Sequence, residues 1–120
     1  MHEAAEQPTR LSIAQTTTRG MRVLVLSGEV DADNVDALRQ ALQIHDGESR
    51  TSVLDLGGVT FIDSSAINVL VAAHREATSA GGWIRLAALT APVKRVVELV
   101  GIDTVIGCYP TLAQALAASV

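Results

Sequence analysis

Val59-Thr60-Phe61-Ile62-Asp63-Ser64-Ser65 begins as an apolar, strand-like run, breaks at Asp63, and delivers two hydroxyls to the start of a helix. A helix N-terminus carries unpaired N–H groups and a partial positive charge, which suits a serine cap and equally suits an anion such as phosphate. Ser64 and Ser65 are therefore caps, phosphate acceptors, or one of each.

On the N-terminal side, Leu11 and Ile13 alternate with polar neighbours as a first strand, Arg19-Gly20 reads as a turn, and residues 21–27 form a second strand ending at Gly28. Over residues 33–45, Val35, Leu38 and Leu42 fall at helical spacing, with Asp33 or Asn34 as N-cap and Asp46-Gly47 as the stop. Residues 52–56 read as a short strand closed by Gly57-Gly58, with Asp55 on the face opposite Leu54 and Leu56. On the C-terminal side, the helix opened at Ser64 or Ser65 runs to about Ala80, where Gly81-Gly82 ends it. Residues 83–87 form a further strand, and Pro92 opens a helix whose Val93, Val96, Val97 and Val100 point inward. Valine is a mediocre helix former, so burial must hold that segment helical. Val105-Ile106 is a last short strand, and Thr111 with Gln114 is a capping box opening a final helix. The alternation predicts an α/β domain: a mixed four- to five-stranded sheet flanked by about four helices starting near Asp33, Ser64, Pro92 and Thr111. Residues 1–9, acidic and Ala-rich up to Pro8, read as a flexible tail before a single domain over 10–118.

Composition narrows the function. The net charge is −4, so there is no cationic excess for nucleic-acid backbones. Phe61, Trp83 and Tyr109 are the only aromatic residues, too few for a base-stacking platform. Cys108 stands alone, which rules out an intrachain disulfide and a CxxC or zinc-finger spacing and fits a reducing, cytoplasmic setting. The N-terminus lacks the charged and apolar regions of a signal peptide, and no run reaches the ~18 apolar residues of a membrane span. A protein partner or a small molecule remains.

An enzyme is not expected, and no catalytic residue is assigned. A serine nucleophile needs a base within hydrogen-bond reach, and the imidazoles are His2, His45 and His74. His74 is too far along the same helix as Ser64, about 15 Å at the usual rise. A GxSxG elbow is absent, as are GxGxxG and Walker A motifs. Asp31, Asp33, Asp36 and Asp63 lack EF-hand spacing, so neither a metal nor another cofactor is expected. A phosphoacceptor avoids these difficulties, because a kinase brings the base, the metal and the ATP.

Gly28-Glu29-Val30-Asp31 after a strand, Val53-Leu54-Asp55-Leu56, Phe61-Ile62-Asp63-Ser64-Ser65, Gly81-Gly82 before a strand, and the run from Pro92 to Gly101 occur in this order. Together they resemble the STAS domain of bacterial anti-sigma factor antagonists, over about Leu11 to Leu116. The resemblance implies a partner-switching protein of the stress-response kind, which binds an anti-sigma factor of the serine-kinase type and frees a sigma factor for transcription. It implies phosphorylation at Ser64, with a protein phosphatase as a further partner, and a binding surface of Glu29, Asp31, Asp63, Ser64, Ser65, Ala66 and Asn68. The alternative is a non-phosphorylated STAS accessory subunit of a membrane transport complex. Where that family continues Ser-Ser-Gly-Leu-Gly, this chain has Ser64-Ser65-Ala66-Ile67-Asn68. Ala and Asn favour the local helix over Gly, and they also add bulk where a partner comes close.

Overall fold

Strands and helices alternate as the hydrophobic pattern requires. A computed structural model describes residues 10–118; the tail expected over residues 1–9 lies outside them. β1 (Ser12–Thr18) and β2 (Met21–Val30) form an antiparallel hairpin, turned by Arg19 and Gly20 at φ 54° and 78°. Positive φ at both central residues gives the turn whose twist matches the flanking strands. There follow α1 (Val35–Leu42), β3 (Thr51–Ile62), α2 (Ser64–Ser79), β4 (Trp83–Ala87), α3 (Ala91–Val100), a 3-10 turn (Ile102–Thr104), β5 (Gly107–Tyr109) and α4 (Leu112–Ala117).

Strand order in the sheet equals chain order, and β2 through β5 are mutually parallel. With right-handed crossovers this order places α1, α2 and α3 on one face. The main core lies there, where Leu24, Leu26, Leu54 and Leu86 of the sheet meet Leu38, Leu70, Val93 and Val97 of the helices. α4 covers part of the opposite face, where Val53, Ala87 and Ala115 pack with Met21, Trp83 and Tyr109.

Several boundaries differ from the sequence reading. β3 does not close at Gly57-Gly58 but runs on to Ile62, paired beyond that point with β2 alone. The register slips between Val25 and Ser27 and again between Gly28 and Glu29, so the glycines mark a bulged stretch rather than a stop. A side chain at Gly58 would lie 2.8 Å from Ser27 Cβ, which explains the glycine by close approach of β2. α1 is shorter than residues 33–45, and the last strand sits at Gly107–Tyr109 because Ile102–Thr104 forms a 3-10 turn first.

Two buried arginines tie the layers together. Arg22 is 3% exposed and donates to the Leu42 and Gln43 carbonyls at 3.2 and 3.0 Å, to Ser52 Oγ at 3.1 Å and to Glu48 at 3.4 Å. It thereby satisfies carbonyls at the end of α1, where a positive charge also suits the helix dipole. Arg85 lies with its guanidinium 3.8 Å from the Trp83 ring centroid and 5.5 Å from that of Tyr109, and donates to the Ala115 carbonyl at 2.8 Å. This ties α4 to the sheet.

Candidate functional site

Ser64 is the first residue of α2, and the residue before it organises the site. Asp63 is the N-cap: its Oδ1 accepts the N–H groups of Ser65 and Ala66 at 2.9 and 3.2 Å. Neither serine serves as the cap. Asp63 Oδ2 accepts the N–H of Ala32 at 3.2 Å, and the Asp63 N–H donates to the Val30 carbonyl at 3.3 Å. One carboxylate thus holds the start of α2 and the β2–α1 loop together.

That loop is fixed by its own polar side chains. The Asp31 N–H donates to Asn34 Oδ1 at 3.0 Å, the Asn34 amide donates to the Glu29 carbonyl at 2.9 Å, and Asp31 Oδ1 accepts from the Asp33 N–H at 2.9 Å. Asn34 occupies the N-cap position of α1 yet directs its side chain into the loop rather than the helix. Sequence reasoning weighed it only as a cap.

The seven expected surface residues divide by position. Glu29, Asp31, Asp63, Ser64 and Asn68 gather at the carboxyl ends of β2 and β3 and the start of α2, with Ser64 and Asn68 exposed. Asn68 lies four residues after Ser64 and so shares its helix face. Ser65 is half-buried, and Ala66 is 1% exposed, its methyl packed in the core. Of the two departures from Gly, only Asn68 therefore presents a side chain on the surface. Among the described residues none makes a hydrogen bond to Ser64 Oγ, and its hydroxyl faces solvent. Phe61, which sequence reasoning used only as motif, is 45% exposed.

The charge here is mostly acidic, although the Arg10 backbone packs against Gly28, beside Glu29, and Asp36 is paired with Arg39. No Lys or Arg falls between Arg22 and Arg39 or between Arg50 and Arg75, whereas Glu29, Asp31, Asp33, Asp36 and Asp63 fall in those stretches. Among the described residues no three His, Cys, Asp or Glu side chains converge as a metal site. His74 is ten residues further along α2 than Ser64, about 15 Å away. The arrangement presents a hydroxyl beside an acidic rim, and among the described residues no side chain is hydrogen-bonded to that hydroxyl.

Away from this surface, a cavity of about 550 Å³ lies between α3 and β5 and is lined by Leu89, Lys94, Glu98, Asp103, Cys108 and Tyr109, among others. Burial pushes the Cys108 thiol up from its ordinary range, and the charges of Asp103 and Glu98 add to the effect. Such a thiol is a poor nucleophile at neutral pH.

Known proteins share this architecture. A family model described as "Mlab, STAS domain" matches residues 13–108. An anti-sigma F factor antagonist of Paenibacillus polymyxa is 27% identical over 108 residues, 88% of this chain and 92% of that one. The crystal structure of an anti-sigma factor antagonist from Mycobacterium paratuberculosis is 28% identical, with a TM-score of 0.81 over 91% of this chain and 93% of that one. The Bacillus cell fate determinant SpoIIAA in its phosphorylated form is 22% identical, with a TM-score of 0.68 over 88% of this chain and 96% of that one, and shares the fold. No helix of the described residues is long and apolar enough to cross a membrane.

Proposed function

Because the chain belongs to the STAS domain family, we propose that it is an anti-anti-sigma factor: it binds an anti-sigma factor of the serine-kinase type, frees a sigma factor, and is switched by reversible phosphorylation at Ser64. The observation that carries this reading is the exposed Ser64 hydroxyl at the first position of α2, free of hydrogen bonds within the described residues, on a predominantly acidic rim. A phosphoacceptor needs only to be presented, since the kinase supplies the base, the metal and the ATP. The role is that of a substrate and ligand, not a catalyst. It is exercised in the cytoplasm, where a sigma factor and an ATP-dependent kinase are met, and a protein phosphatase resets it.

Phosphate adds about −1.5 to −2 charge at pH 7 beside Asp63, and the helix dipole offsets only ~0.3–1 kcal/mol of that. On the free protein the group stays in water. At a packed interface it is desolvated next to an existing carboxylate, so binding rather than folding responds. Phosphopeptide mapping after incubation with the cognate kinase and ATP tests the assignment; label on Ser65 or Thr60, or on no residue, overturns it.

A second reading is a non-phosphorylated accessory subunit of a membrane transport complex. Affinity capture separates the two: an anti-sigma kinase supports the first reading and a transporter ATPase the second.

A further inference from the structure

Phe61 has no part in the core, although it is the only phenylalanine in the chain. The two other aromatic rings, Trp83 and Tyr109, stack on Arg85, whereas Phe61 is 45% exposed. Its register partner is Glu29, and the next pair, Val30 and Ile62, enters the main core. Side chains alternate along a strand, so Phe61 and Glu29 stand on the opposite face. β4 pairs with β3 only as far as Asp55, so Phe61 lies on the overhang beyond β4. The segment Thr60-Phe61 leads directly into Asp63 and Ser64, and the four carboxylates of Glu29, Asp31, Asp33 and Asp63 surround it in sequence and topology, outnumbering the one cation, Arg10, whose backbone packs against Gly28.

We propose that Phe61 is the aromatic anchor of the partner-binding surface, and that the partner it fits presents an apolar pocket ringed by Lys and Arg. The proposal rests on the reading of this chain as an antagonist of an anti-sigma factor, and it names the chemistry of that partner's contact surface. Anchor residues of protein interfaces are enriched in large rings that are packed and desolvated on binding, inside a rim that excludes water. Here the rim is acidic, so a basic rim on the partner supplies both encounter and orientation. Besides the single Val25 on β2, the other exposed large apolar residues are Leu99 and Val100 at the end of α3, the latter exposed rather than inward as its spacing suggested, and Val105 after the 3-10 turn; they are bordered by Arg95 and Asp103, charges of both signs, and lie on elements remote in sequence from Ser64. They share neither the net acidic charge nor the continuity with Ser64.

The test uses the full chain and the anti-sigma factor that the wild type captures, with affinity measured by calorimetry for wild type, Phe61→Ala, Phe61→Leu and Leu99→Ala. Phe61→Ala is expected to weaken binding by about 30-fold or more, with an unchanged melting temperature, and Phe61→Leu by less. Leu99→Ala is expected to bind as wild type does. Hydrogen exchange of the wild-type complex provides a readout independent of the variants, with slowed exchange expected at Thr60 and Phe61. If the wild type binds and Phe61→Ala stays within about threefold of it, or if Leu99→Ala takes the loss instead, the anchor assignment is overturned while the antagonist reading stands. Unprotected Thr60 and Phe61 in the complex overturn it in the same way. If the wild type binds no anti-sigma factor, the antagonist reading falls and takes this proposal with it.

Discussion

At the start of β2 and β3 a guanidinium is buried and donates to several acceptors; at the far end of the same two strands a set of partly or fully exposed carboxylates outnumbers the one cation, Arg10, that packs its backbone against Gly28. Arg22 satisfies carbonyls that α1 leaves open, so its charge serves folding. Asp31 also accepts the Asp33 N–H and so helps to fix its loop; on the proposed reading the net acidic charge of Glu29, Asp31 and Asp33 serves an encounter with another molecule. A buried charge with several partners marks structure; on the proposed reading, the acidic residues beside an exposed ring and the Ser64 hydroxyl mark a contact surface.

The largest effect should come from breaking the buried end. Arg22→Ala strands the Leu42 and Gln43 carbonyls and Ser52, and is expected to cost about 3–5 kcal/mol in urea unfolding, while the remaining folded protein binds its partner normally. A loss of affinity without a loss of stability would reverse the contrast between the ends. At the other end, Ser64→Asp should lower partner affinity about 100-fold with little change in melting temperature, and Ser64→Ala should bind persistently in the presence of kinase and ATP.

Asp63 belongs to both sides of the comparison, since it caps α2 and also holds the Ala32 amide. Asp63→Ala should cost about 0.5–2 kcal/mol of stability in thermal or urea unfolding. Ser65→Ala should cost less than about 0.5 kcal/mol, because Ser65 is not the cap. The ranking of these two variants by differential scanning calorimetry checks the capping geometry. Smaller still, Glu29→Lys should slow association a few-fold at low salt and have almost no effect at high salt; rates indifferent to a salt series would remove the acidic rim from the encounter. Cys108→Ser should leave partner affinity unchanged. Because the folded-state thiol titrates above its ordinary range, less thiolate is present at any given pH, and alkylation at pH 8 should be slower in the folded protein than in urea.

Most of the fold was legible because local and global signals agree. Pro92, the Thr111–Gln114 box and the Gly81-Gly82 and Gly101 stops sit at real helix ends. Gly57-Gly58 misled, because a glycine pair is equally suited to a turn and to a bulge, and only the approach of Ser27 distinguishes them. The cap of α2 was assigned to Ser64 or Ser65 and Asp63 was missed, because Asp and Ser cap almost equally well; the Asp63 carboxylate takes the position by accepting the Ser65 and Ala66 N–H groups. Arg22 went unread, although a signal existed: it shares strand parity with Leu24 and Leu26, which placed it on the core face. Phe61 was read as part of a hydrophobic strand because the sequence does not show that β3 outruns β4.

The identity of strand order and chain order has a bearing on how this molecule comes into being. Each parallel pairing closes a crossover of about twenty residues, and closure entropy rises only with the logarithm of length, so the three closures cost nearly the same. No strand waits for a distant segment of the chain to complete its ladder. During synthesis the hairpin, α1 and β3 have their partners as soon as they emerge, and α2 follows directly on β3. The serine-bearing helix start is laid down on a sheet already three strands wide, before the C-terminal half of the protein exists.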